Sequence, residues 1–217
     1  MRKGSDMRQY RILVILLGLV VAVPALAQDK PTETTGIAMS IDSMIRSIRD
    51  AYVDQFRTYA ETRNDPATGR TEIKIKVNRS ERLFRSLICV DYLRKTADGP
   101  QPEIFEPERQ LYFDGFETDI GAVAVAFSSF GWDGVAIRYQ SPRSAEEIFG
   151  PWFVRWFDPE DERLDPEALL NGNIHNIVVV AGGVSIDMGT APPEAFHELI
   201  AAFEAAGVTR LEIGGDL

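Results

Sequence analysis

The chain is short of the side chains that much enzyme chemistry depends on, with one cysteine and two histidines in 217 residues. A single cysteine forbids an internal disulfide. Cys89 lies among Leu87, Ile88 and Val90. This predicts a small buried core residue, with an intermolecular bridge or a reactive thiol as the functional alternatives. The histidines are His175 and His197, and Leu199, Ile200 and Ala201 follow His197-Glu198, so the two-histidine zinc-protease helix is missing. No Gly-x-Ser-x-Gly elbow, phosphate-cradling glycine loop or dinucleotide fingerprint occurs. Positive charge is also scarce. Lys plus Arg number 23 against 33 Asp plus Glu, a net charge of −10, which repels polyanions and argues against nucleic acid as a partner.

Long apolar runs are limited to one, Ile12 to Val23, preceded by Arg2, Lys3, Arg8 and Arg11 and followed by Pro24 and Ala25-Leu26-Ala27. Basic, apolar and small-residue regions in that order describe a secretory signal peptide over residues 1–27, cleaved after Ala27. The run is shorter than the roughly 20 residues of a membrane-spanning helix; an uncleaved anchor over Ile12–Ala27 is the alternative. Removing 1–27 leaves 19 basic against 32 acidic residues, a net charge of −13. The mature chain has no second span and no basic amphipathic stretch for an anionic membrane. The expected location is periplasmic or secreted.

Residues 28–39 read as a flexible lead-in, and 40–217 as a single globular domain. After the candidate N-cap Ser40, helical spacing of Ile41, Met44, Ile45, Ile48, Tyr52, Phe56 and Tyr59 predicts a long amphipathic helix. Alternation in 71–78 predicts a strand with Ile73, Ile75 and Val77 inward and Glu72, Lys74 and Lys76 outward. Residues 80–95 suggest a helix, with a strand possible around Val90. The prolines of 97–107 predict a loop, and 111–113 a short strand. Spacing predicts a helix from Thr118 or Asp119 to Phe130, a strand over 135–139 and a helix from Ser144, broken at Gly150-Pro151. A hairpin should follow over 174–188 with Gly182-Gly183 as its turn, then a helix from Pro192 or Pro193 and a last strand over 208–213. The expected fold is α+β or α/β, with a single mixed sheet covered by helices.

The strand, helix and Ala206-to-Ile213 ending of residues 177–213 are similar to the C-terminal part of the periplasmic domain of the TolR and ExbD family of proton-channel accessory proteins. The likeness spans under a fifth of the chain, and the N-terminal apolar run lacks that family's membrane aspartate.

The acidic stretch 158–167 has alternating carboxylates, but Arg163 stands where a calcium loop requires glycine and Leu169 where it requires its closing glutamate. A solvated acidic turn is expected, and neither metal nor cofactor is assigned. His175 reads as a hydrogen-bonded residue at a strand edge. If residues 151–157 are helical, Trp152, Phe153, Trp156 and Phe157 form one aromatic face beside Phe149. These five residues are the candidate partner- or ligand-binding surface, with core packing as the alternative. The resulting expectation is an exported interaction or accessory domain of the bacterial envelope, without a recognisable enzyme signature, that binds an envelope protein. Alternatives are a periplasmic hydrolase using carboxylates or His175 beside Asn171-Gly172-Asn173, and a small apolar-ligand binder. Oligomeric state is not encoded in any motif.

Overall fold

Among the described residues, seven of the nine strands are joined in sequence as hairpins or antiparallel neighbours, so most of the sheet structure arises locally. The computed structural model describes residues 40–63, 65–77 and 86–217. The expected signal peptide, the expected lead-in and residues 80–85 of the expected helix lie outside the described residues. Among them are three helices, α1 (Ile41–Glu61), α2 (Ala145–Phe157) and α3 (Pro193–Ala205). The strands are β1 (Gly69–Lys76), β2 (Leu87–Thr96), β3 (Gly99–Glu103), β4 (Phe116–Ile120), β5 (Val123–Phe127), β6 (Val135–Tyr139), β7 (Asn176–Val180), β8 (Gly183–Asp187) and β9 (Arg210–Gly214).

The fold is α+β, with two sheets in place of the single one expected. One is antiparallel, in the order β1-β2-β3; the other is mixed, β4-β5-β9-β6-β8-β7, with β5 and β9 parallel. Two local outcomes account for the difference. Residues 87–96 form a strand, because Cys89, Val90, Asp91 and Tyr92 are buried against neighbours on both faces. The proline-rich segment supplies β3, whose Pro100 and Pro102 are tolerated because the strand lies at a sheet edge.

The helix expected to run to Phe130 is a hairpin. Val123, Val125 and Phe127 alternate inward, and Gly121 takes φ +59° in the turn that returns β4 into β5. No strand forms over 111–113. The β7–β8 turn is Ala181-Gly182, one residue earlier than expected, with Val180 paired to Gly183.

Helix α2 runs through Gly150-Pro151 without a break. Its start is fixed by a capping box, in which Ser144 Oγ accepts from Glu147 N–H and Glu147 Oε2 accepts from Ser144 N–H at 2.7 Å. Phe149, Trp152, Phe153, Trp156 and Phe157 are all buried. Trp152 donates its indole N–H to Ala195 C=O at 2.8 Å, and Trp156 to Glu198 at 2.9 Å. Phe149 meets Phe203 edge to face, with ring centroids 5.1 Å apart. The aromatic face is therefore the seam between α2, α3 and the mixed sheet, and it presents no surface to a partner or ligand. A helix apolar over so wide an arc must bury that arc.

No helix among the described residues is long and apolar enough to cross a membrane. Phe153 is fully buried and stacks on Phe157 at 4.6 Å. Phe153→Ala is expected to lower unfolding free energy by about 3–5 kcal/mol, measured by urea titration; a loss under about 1 kcal/mol contradicts its core placement.

Candidate functional site: a buried histidine between carboxylates

The expected polarity of β1 fails at Glu72 and Lys74, while Lys76 is exposed as expected and Ile73 and Ile75 are half-buried. Glu72 is buried and the Lys74 side chain nearly so, whereas Val77 is 48% exposed. Charged groups turn inward only where partners await them, and both have partners. Lys74 Nζ donates to Asp161 at 2.6 Å and to the Asp158 carbonyl. Asp158 closes α2 in the left-handed region, and its carboxylate accepts from Glu162 and Arg163 N–H at 3.1 and 3.0 Å. Lys74 thus supplies the cation for part of the acidic stretch.

Glu72 stands opposite Asp91 in the β1–β2 register, since the flanking pairs are Thr71 with Tyr92 and Ile73 with Val90. Directly opposed like charges repel. His175, 1% exposed and just ahead of β7, sits between them. Its Nδ1 lies 2.8 Å from Asp91 Oδ1, and its Nε2 2.9 Å from Glu72 Oε1.

Each carboxylate is anchored from behind. Asp91 Oδ2 accepts from Phe105 N–H at 2.7 Å; Glu72 accepts from Asn171 N–H and from the Thr190 hydroxyl. Glu72 has φ +49°, a conformation rarely taken by a residue other than glycine. Asp187, at the end of β8, brings Oδ2 to 4.0 Å from His175 Nδ1 and receives Gly189 N–H at 2.8 Å. Gly189 has φ +50°, and a Cβ there would fall 2.3 Å from His175 Cδ2. Only glycine lets the backbone wrap the ring this closely. Phe56 of α1 closes another side, edge to the imidazole at 5.6 Å.

Burial works against a charged imidazole, but it is outweighed by Cys89, the hydrogen bonds to Asp91 and Glu72 and the Asp187 charge, which hold His175 well above its ordinary range. Burial pushes the Cys89 thiol up to about 12, leaving it uncharged near neutrality, so the carboxylates carry the effect on His175. Burial raises Asp187 to about 7, helped by Asp91 and Asp133 and opposed by His175 and Gly189 N–H. Its side chain is 27% exposed, and that solvent contact moderates the shift.

With both ring nitrogens hydrogen-bonded to carboxylates, His175 acts as a base or ligand only by giving up one of these partners. As an imidazolium it clamps β1, β2 and the β7–β8 hairpin together. His197 lies apart on an exposed face of α3, 3.2 Å from Asp42. Asn171 and Asn173 touch the cluster's rim, the first through Glu72 and the second through Thr190 N–H to its carbonyl at 3.0 Å. The sequence reading singled out His175 but missed Glu72, Asp91 and Asp187. The available signal was an ionisable residue within an apolar stretch, as in Asp91 between Val90 and Tyr92. Compared with protein-family models, curated proteins and solved structures, the chain matches none of them.

His175→Ala leaves two buried carboxylates facing each other without a cation and is expected to cost about 3–5 kcal/mol of unfolding free energy, read by urea titration; a cost below about 1 kcal/mol contradicts the clamp. Cys89, buried and free, should react with a thiol reagent at least about 100-fold more slowly in native than in urea-unfolded protein. Equal rates would place it at the surface.

Proposed function

We propose that the chain is an exported, non-catalytic interaction domain of the bacterial cell envelope, and that a protein partner adds a strand to β7. The observation that carries this reading is the character of that edge. β7 is the last strand of the mixed sheet. Its preceding residue gives its carbonyl to Cys89 N–H at 2.8 Å, and beyond that point no described backbone group pairs with the edge facing away from β8.

Terminal strands are ordinarily blunted by lysine, proline or a bulge. β7 reads Asn-Ile-Val-Val-Val, with Val178 50% and Val180 47% exposed. An uncharged, β-branched edge suits main-chain pairing with an extended segment, with side-chain contacts supplying selectivity. The leader-like residues 1–27 support export, and the net charge of −13 after their removal suits an aqueous compartment. The alternative of a hydrolase using carboxylates or His175 is less favoured, because His175 would have to release Asp91 or Glu72 before acting as a base. The apolar-ligand alternative loses its pocket lining, since Phe149, Trp152 and Trp156 are buried in the core.

A photo-crosslinking residue at Val178 in native cells should give a discrete adduct from mature protein in the envelope fraction, while one at the exposed Glu212 gives none. Absence of a Val178-specific adduct, or cytosolic protein with residues 1–27 retained, overturns the reading.

A further inference from the structure

His175 and its neighbours have the donor geometry of a metal centre. Nδ1 of His175, Oδ1 of Asp91 and a carboxylate oxygen of Asp187 lie within 4.8 Å of one another, with Nδ1 at 2.8 Å from Asp91 and 4.0 Å from Asp187. Ligands bound at about 2.0–2.2 Å stand roughly 2.8–4.2 Å apart, according to the angle between them, and both distances from Nδ1 fall in that range.

Three independent features orient the donors. The other ring nitrogen is held 2.9 Å from Glu72 Oε1, and Glu72 is itself fixed by Asn171 N–H and the Thr190 hydroxyl. That is how a metal-binding imidazole is usually steadied, with an outer carboxylate selecting the tautomer that leaves Nδ1 free. Both aspartates spend their far oxygen on a backbone amide, Asp91 on Phe105 and Asp187 on Gly189. The near oxygens remain turned toward Nδ1, and Asp187 Oδ2 accepts no hydrogen bond from a described residue. Access is one-sided, because the Asp187 side chain is 27% exposed and that of His175 only 1%. An ion would enter past Asp187 and keep water on that side.

We infer that Asp91, His175 and Asp187 form a binding site for a divalent transition-metal ion of the zinc class. One imidazole with two carboxylates is a borderline donor set that favours zinc over the all-oxygen coordination preferred by calcium or magnesium. Charge agrees, since Glu72, Asp91 and Asp187 surround a single imidazole. Binding exchanges the Nδ1 proton for the ion, and that proton leaves to buffer. The inference is independent of partner binding at β7.

The test is calorimetric titration of metal-stripped, full-chain protein with Zn²⁺ in two buffers of different ionisation enthalpy. One ion should bind per chain with net proton release. Asp187→Asn should weaken binding about 10-fold or more, and His197→Gln, which removes the only other histidine, should leave it unchanged. No Zn²⁺ binding, binding insensitive to Asp187→Asn, or binding lost with His197→Gln overturns the assignment. Should Asp187→Asn lose its native circular dichroism, nitrogen NMR of the wild-type histidines decides: the His175 Nδ1 resonance shifts with Zn²⁺ if the site exists and stays in place if it does not.

Discussion

A positive imidazole buried between opposed carboxylates organises the molecule's centre. Glu72 and Asp91 face each other across β1 and β2, and without a cation between them the pairing would drive both charges apart or toward water. His175 comes from more than 80 residues further along the chain. It attaches the hairpin of β7 and β8 to the antiparallel sheet at the same point where Cys89 N–H bonds the His175 carbonyl. The ring and the backbone of one residue therefore both tie the antiparallel sheet to the start of the β7–β8 hairpin.

The cost of desolvating such a group is offset by hydrogen bonds that anchor each of the carboxylates around it. Phe105 N–H, Asn171 N–H and Gly189 N–H each satisfy a carboxylate oxygen turned away from the imidazole, and the Thr190 hydroxyl shares Glu72 Oε1 with His175 Nε2. Several of these donors lie in segments without regular structure, and their backbones are fixed because they serve the carboxylates. Glu72 accepts a left-handed backbone for the same reason, and Gly189 supplies an approach that any Cβ would block. The antiparallel sheet thus turns two charged residues of β1 inward, with Lys74 held by Asp158 and Asp161 and Glu72 held by His175.

What the sequence made legible followed from periodicity. The helix after Ser40, the Pro193 helix, the strand over 135–139 and the aromatic stripe of α2 each announce themselves within a dozen residues. Two kinds of feature were hidden. In Thr118–Phe130, Ile120, Val123 and Phe127 fit helical spacing as well as Val123, Val125 and Phe127 fit alternation, and the Gly121 turn decides for the hairpin. In β1, alternation located the strand but missed the burial of Glu72 and Lys74, because their partners lie in residues 158–190 and leave no local trace. The aromatic stripe was found but could not be assigned to core or surface, since burial depends on the facing residues of α3, Ala195 and Glu198 among them.

The β7–β8 hairpin connects the buried centre with the exposed edge. Its base is closed by His175 N–H to the Asp187 carbonyl at 2.9 Å, so both the imidazole and the least buried carboxylate sit where the two strands begin and end. Its outer strand carries Val178 and Val180 into solvent. An edge strand presents a usable backbone only if its twist and register are held, and a two-stranded ribbon holds neither by itself. Here β6 supports one side of the hairpin through β8, while the charge clamp pins its base. The His175 clamp therefore fixes the end of β7 from which hydrogen-bonded ribbon runs out to the exposed Val178 and Val180.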